Sequence, residues 1–222
     1  MEHVQRTYLP AAGNDWALPL YDPLVKLLGA EKVRRALLDQ AALEPGHRVL
    51  DVGCGTGTLA TLIKRLYATV EVVGLDPDPK ALARATRKAQ RAAVSVRFDQ
   101  GFSDELPYPD ASFDRVFSSF MFHHLPAGVR EKTLYEARRV LAPGSSLHLV
   151  DFERSESQGT LARHLASHHL KENSENRILG LMRKTGFARP TRVTGGAMLF
   201  GLLRFGYYQA TVPASSEQCK AR

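Results

Sequence analysis

The sequence predicts an α/β fold: a doubly wound, mostly parallel sheet of seven strands with a C-terminal antiparallel strand and an N-terminal helical cap. Three observations carry that expectation. Between residues 48 and 152, short apolar runs alternate with helical segments of about 10 to 15 residues, the pattern of βαβ units. The first apolar run enters a glycine-rich turn, Gly53-Cys54-Gly55-Thr56-Gly57. The chain has 222 residues, 44% hydrophobic and 24% charged, which suits one domain with a core of its own.

Residues 1–15 contain Pro10 and Gly13 and read as a loose lead-in. Pro19 to Ala42 reads as a helix in two pieces. Leu24, Val25, Leu27 and Leu28 form an apolar face, Gly29 ends it, and Val33, Ala36, Leu37 and Leu38 resume the helical spacing. Glu44-Pro45-Gly46 is a turn. Strands are expected at Arg48–Asp51, Val70–Leu75, Val94–Phe98, Phe113–Ser118 and Leu147–Phe152. Helices are expected at Thr58–Tyr67, Lys80–Ala93 and Val129–Leu141, the last stopped by Pro143-Gly144. Residues 153–175 are polar, and Asn176 to Thr185 reads as a helix ended by Gly186. Arg192–Thr194 and Met198–Ala210 read as two strands or one bent strand pair, and the tail from Pro213 reads as loose. The expected division is a helical cap over 1–44, the main domain over 45–212 and a flexible tail over 213–222.

Composition excludes several classes. No apolar stretch approaches the roughly 20 residues of a membrane span, and the polar start Met1-Glu-His-Val-Gln-Arg6 is not a signal peptide. Two cysteines, Cys54 and Cys219, cannot build a disulfide scaffold, so a reducing, cytoplasmic setting is expected. The ending Cys219-Lys-Ala-Arg222 is not a prenylation signal. The net charge of +7 is concentrated in Lys80, Arg84, Arg87, Lys88, Arg91 and Arg97, which read first as a solvated helix face.

The site signal is Val49-Leu-Asp-Val-Gly-Cys-Gly-Thr-Gly57. Glycines permit a tight turn and bring backbone N–H groups close to a ligand, and the helix start adds a positive dipole end. The spacing is G-x-G-x-G, not the G-x-G-x-x-G of dinucleotide folds, because position 58 is Thr. Asp51 precedes the turn. A carboxylate repels a pyrophosphate and attracts an ammonium or sulfonium, so the expected ligand is a cationic nucleoside. Asp76 ends the second strand, where a carboxylate accepts ribose hydroxyls. Its alternative role is to cap the next helix, which Asp78 can do instead.

On these residues the chain resembles a class I S-adenosylmethionine-dependent methyltransferase. Within that superfamily it is most similar to the small-molecule branch that includes the ubiquinone/menaquinone C-methyltransferases. The matching segments are Val49–Gly57, Gly74–Pro77, Leu106–Asp114, His123–Pro126 and Arg139–Gly144. The resemblance implies a Rossmann-like fold, S-adenosylmethionine as donor and S-adenosylhomocysteine as product. It implies that Asp51 holds the donor's amino group through its neighbours or a water, and that Gly53, Cys54 and Gly55 back the methionine portion. Asp76 would take the ribose and Pro77 would lean on the adenine. Where the family carries Gly-Asp-Ala after the third strand, this chain has Gly101-Phe102-Ser103. The adenine amino group is then left to Ser103, to Asp104, or to stacking on Phe102.

Transfer from a sulfonium needs a base only if the acceptor must lose a proton. His123 and His124 follow the fourth strand and are the catalytic candidates, with His123 also facing the acceptor; one of them capping the next helix or packing near the donor is the alternative. Ser119 is expected beside the donor, and Trp16 and Tyr21 in the acceptor pocket or in the core. His164 and His168, with His169, read as a solvated face or lid, and no metal site is expected. The expected partner is a small-molecule acceptor, without nucleic acid or a membrane span, acting on a monomer or homodimer. A non-catalytic donor-binding protein and a nucleic-acid or protein methyltransferase are the competing readings. Asp/Asn-Pro-Pro-aromatic is absent after strand four, where Ser118-Ser-Phe-Met-Phe122 stands.

Overall fold

A computed structural model describes residues 30–153, 175–198 and 203–214. Trp16, Tyr21, the first helical piece, His164, His168, His169 and Cys219 lie outside the described residues. One seven-stranded sheet organises the rest, in the order β3-β2-β1-β4-β5-β7-β6. The strands are β1 (Arg48–Val52), β2 (Glu71–Asp76), β3 (Arg97–Gln100), β4 (Phe113–Ser119), β5 (Leu141–Glu153), β6 (Ala188–Met198) and β7 (Leu203–Thr211). β1 to β5 are mutually parallel. β7 pairs antiparallel with β5, and β6 antiparallel with β7. The described helices are α1 (Ala30–Asp39), α2 (Thr58–Leu66), α3 (Pro79–Arg91), α4 (Ala127–Val140) and α5 (Glu175–Lys184).

Both faces of the sheet are covered, which is why its inner strands read as unbroken apolar runs. Successive residues of β1 show the division. Val49 joins Val33, Leu37 and Leu38 of α1 and Leu59 and Ile63 of α2 on one face. Leu50 joins Leu134, Ala137 and Val140 of α4 and Ile178 and Met182 of α5 on the other. α1 runs against the strands: Tyr207 Oη donates to Val33 O near one edge, and Arg115 Nε donates to Ala41 O near the other. Among the described residues no helix is long and apolar enough to cross a membrane.

Three element boundaries differ from expectation. The third strand is Arg97–Gln100, later than Val94–Phe98, because α3 closes through Ala92, Ala93 and Val94, whose N–H groups bond back into the helix. α4 ends at Val140 without needing Pro143-Gly144. β5 instead begins at Leu141, opposite Phe113, and bulges before Ser146 meets Arg115, so Gly144 (φ 82°) turns inside the bulge. β6 starts at Ala188, before the expected Arg192, and continues through Gly195 and Gly196. Side chains lie across those glycines: a Cβ on Gly196 would sit 2.7 Å from Phe205 Cζ.

Gly57 joins the glycine turn to α2 with φ 70°. A Cβ there would lie 2.7 Å from Ala85 Cβ and 2.9 Å from Phe98 Cζ, so its absence lets α3 and β3 close against the turn. Gly57→Ala is expected to destabilise the fold by about 2 to 4 kcal/mol, the left-handed backbone and the overlap adding. The urea midpoint of the variant against wild type checks this.

Candidate functional site

The strand order reverses between β1 and β4, and the crevice beyond their carboxyl ends is where such sheets bind ligands. Both segments singled out in the sequence leave the sheet there. The glycine turn follows β1, and Ser119 to His124 follow β4.

The glycine turn is braced against the tip of β2. Gly53 N and Cys54 N both donate to Leu75 O, at 2.8 and 3.0 Å, and Gly57 N donates to Cys54 O. Gly55 N donates to Asp76 Oδ2 at 2.8 Å. The expectation that glycine N–H groups face the ligand is therefore corrected for these four. Phosphate oxygens would find those donors taken, in keeping with the acid beside them. Gly53 (φ 70°) makes room for Met121, whose side chain would overlap a Cβ at that position.

Asp76 is 8% exposed and its other oxygen, Oδ1, accepts from Asp78 N at 3.0 Å. Asp78 is the cap of α3, accepting from Lys80 N at 2.8 Å, so Asp76 is not needed for capping. Burial raises the Asp76 carboxyl above its usual value, against the Asp78 and Gly55 N–H groups that lower it. Pro77 follows, half-buried. Past β3, Phe102 is half-buried and bridges to Glu105. Ser103 is buried and shares a 2.8 Å hydrogen bond with Thr133 of α4, which competes with any ligand for its hydroxyl. Asp99 of β3 is taken by Arg97 and by Tyr108 Oη.

After β4 the chain turns sharply at Phe120, a non-glycine residue at φ 55°, whose N–H donates to Val150 O. A 3-10 turn, Phe122–His124, then lays His123 over β5. Asp151 receives it. Its Oδ2 accepts from His123 N at 2.7 Å, and its Oδ1 accepts from Phe152 N at 2.7 Å and contacts His123 Nδ1 at 2.5 Å. A carboxylate taking donors on both oxygens fixes Nδ1 as the protonated nitrogen and leaves the lone pair on Nε2. Arg130 locks the turn from α4 by donating to His123 O and Leu125 O. His124 packs against His123 with ring centroids 4.0 Å apart and planes tilted by 39°, and is half-buried. Asp151 was absent from the sequence reading; its only signal is an acid ending the strand beside the one that leads to the histidines.

Asp51 is 1% exposed. Its carboxyl is pushed up to about 7, mainly by burial, against the lowering effects of the Arg34 charge and the Ala60 N–H. Its Oδ2 has no hydrogen-bond partner among the described residues, nor has Ser119 Oγ. Cys54 is buried and its thiol is raised well above its usual value by burial and by Asp51 and Asp76. It is therefore a neutral, packed thiol. Among the described residues no three His, Cys, Asp or Glu side chains group as metal ligands. A cationic nucleoside fits this edge: Asp51 retains an unused oxygen, and the acids flanking the turn oppose an anion.

Residues 49–144 match the family model described as a methyltransferase domain. The chain is 42% identical over 137 residues to a demethylmenaquinone methyltransferase of Thermus thermophilus, covering 60% of this chain and 61% of that one. It is 40% identical over 129 residues to a 27-O-demethylrifamycin SV methyltransferase of Amycolatopsis mediterranei, covering 55% and 46%. The chain thus spans less than two thirds of the length of these curated relatives. A Haemonchus contortus phosphoethanolamine N-methyltransferase 2, solved with S-adenosyl-L-methionine, superposes with a TM-score of 0.74 at 17% identity, over 91% of this chain and 58% of that one. That likeness shows the fold.

Asp51 also makes stability depend on pH. Its folded value of about 7 lies above the ordinary value of 3.8, so between these pH values the folded chain holds more protons than the unfolded one. Stability contributed by this group is present at low pH and falls as pH rises towards about 7. Asp51→Asn is expected to exceed wild type in Tm, by more at pH 8 than at pH 5, at roughly 2 to 4 °C per kcal/mol. Calorimetric scans of the ligand-free protein at both pH values check this.

Proposed function

We propose that this chain, whose residues 49–144 belong to the methyltransferase domain family, transfers a methyl group from S-adenosylmethionine to a small-molecule acceptor by in-line displacement. The observation that carries the reading is a row of buried carboxylates along one sheet edge. Asp76 ends β2, Asp51 lies near the end of β1 and Asp151 near the end of β5. A negative edge of this kind suits a sulfonium nucleoside at one end and a proton-accepting histidine at the other.

The donor supplies a methyl carbon already activated by its sulfonium. The protein's share is to bind, orient and exclude water. Asp51 takes the ammonium of the methionine portion, with Gly53, Cys54 and Gly55 backing it. Asp76 takes the ribose, using the acceptor capacity that its two backbone bonds leave. Pro77 and Phe102 flank the adenine, with Ser103 beside it. Ser119 lies next to the methionine portion. His123, held by Asp151, accepts at Nε2 the proton that a hydroxyl or acidic C–H acceptor loses, and His124 packs against it. The names of the relatives, which act on a demethylmenaquinone and a demethylrifamycin, support a small-molecule acceptor. The cytoplasm is the setting this reading implies.

Transfer of labelled methyl from S-adenosylmethionine into cell extract, split into small-molecule, lipid, protein and nucleic-acid fractions, tests the proposal. Label in the small-molecule or lipid fraction is expected; label in protein or nucleic acid alone rejects it. His123→Ala and Asp151→Asn are each expected to lower methyl transfer by 10²-fold or more, the range of general-base losses, with donor affinity held within twofold. Equal losses in turnover and donor binding would make the pair structural. Asp76→Ala is expected to weaken donor binding at least tenfold by titration calorimetry.

A further inference from the structure

The two helices that follow β1 and β2 differ in charge from the other described α-helices. α2 carries Lys64 and Arg65, α3 carries Lys80, Arg84, Arg87, Lys88 and Arg91, and neither contains an Asp or Glu. α1, α4 and α5 all include acids.

α3 gathers its cations on one side. Ala81, Ala85 and Ala89 form its buried face. Arg84, Arg87, Lys88 and Arg91 follow the spacing i, i+3, i+4, i+7, which is a single stripe on a helix. The stripe faces α2, because Lys88 Nζ donates to Thr58 Oγ1 at 2.6 Å and to Thr56 Oγ1 at 3.0 Å. Arg65 comes about two turns after Thr58 and so returns to that same side of α2. Arg65, Arg87 and Arg91 are exposed and Arg84 is half-buried. None of these four makes a hydrogen bond or an ion pair among the described residues. Other surface arginines do: Arg35 pairs with Glu31, and Arg97 with Asp99. Guanidiniums crowded together without an acid repel one another, and an anionic partner relieves that repulsion.

Leu66 points to the class of that partner. It directly follows Arg65 and is 45% exposed. A leucine beside arginines gains by entering the headgroup layer of a membrane and gains nothing from a phosphodiester backbone. α2 and α3 also contain no aromatic residue on which an unpaired base could stack.

We propose that the face formed by α2 and α3 docks on an anionic lipid surface, with the arginines on lipid phosphates and Leu66 in the headgroup layer. The contact is peripheral, since no described helix is long and apolar enough to cross a membrane. It uses neither the carboxylates nor the histidines of the crevice, so it stands independently of the methyl-transfer reading.

Co-sedimentation of the full chain with vesicles tests this. Phosphatidylcholine vesicles with about 30% phosphatidylglycerol are expected to carry the protein down, and pure phosphatidylcholine vesicles to leave it in solution. Raising the salt from about 0.05 M to about 0.5 M is expected to release most of it. Arg84→Gln, Arg87→Gln and Arg91→Gln together are expected to weaken binding about a hundredfold, at about fivefold per arginine. Leu66→Ser is expected to lose a few-fold. A melting temperature within a few degrees of wild type reports that the triple variant is folded; should it not fold, Arg87→Gln alone decides by its own fivefold loss. Binding to neither vesicle, equal binding to both, or undiminished binding by the folded variant overturns the inference. So does competition at equal phosphate concentration in which duplex DNA, and not the anionic vesicle, retains the protein, which would make the face a nucleic-acid surface.

Discussion

The carboxyl edge of the sheet rests on acids whose oxygens accept backbone N–H groups. Asp76 holds Gly55 N and Asp78 N, Asp78 holds Lys80 N, and Asp151 holds His123 N and Phe152 N. Three of these features place the site. The glycine turn is fixed to β2 by Asp76, α3 starts where Asp78 caps it, and the histidine turn is fixed to β5 by Asp151. Hydrogen bonds to an ionised acceptor are among the stronger ones, and here they allow buried charge without a matched cation at every site.

That arrangement gives a crevice whose walls differ in rigidity of purpose. The glycine turn spends its N–H groups inside the protein, so what it offers a ligand is close approach and not donors. The histidine turn is held from two sides, by Asp151 beneath and by Arg130 from α4. Phe120 adopts a left-handed backbone to begin that turn, and its ring packs on Phe152 at a centroid distance of 4.7 Å. A strained residue held by packing at the mouth of a site is the usual place for such strain to persist.

Much of this was legible in the sequence, and what was not has a physical reason. The glycine turn, Asp51, Asp76 and the two histidines sit in short contiguous motifs, where residue type and spacing state the local geometry. Asp78 as cap was readable because it precedes Pro79 at a helix start. Asp151 was not readable, because its partner lies 28 residues away and an acid closing an apolar strand also fits an ordinary strand end. The N–H groups of the turn were misjudged for a related reason: their acceptor, Leu75 O, belongs to another strand, and only register decides it. Pro143-Gly144 looked like a helix stop because proline breaks helices locally, whereas the fold uses the pair in a bulge that α4 has already ended before.

Asp51 shows why the missed long-range partners matter. A carboxyl at the end of an apolar strand, 1% exposed, is unfavourable as an isolated ion, and burial, with the Asp76 charge adding to it, drives it towards protonation at about 7. Arg34 opposes that drive without closing on it. Binding a cation at Asp51 therefore favours the ionised form, and near neutral pH the binding step and loss of the proton are linked: the tighter the cation is held, the further the carboxyl is drawn back towards its ordinary value. An anion at the same place meets the opposite linkage and is rejected increasingly as pH rises. The sign of the charge selected at this edge thus follows from the burial of one side chain, and the fold supplies that burial through α1 and α2.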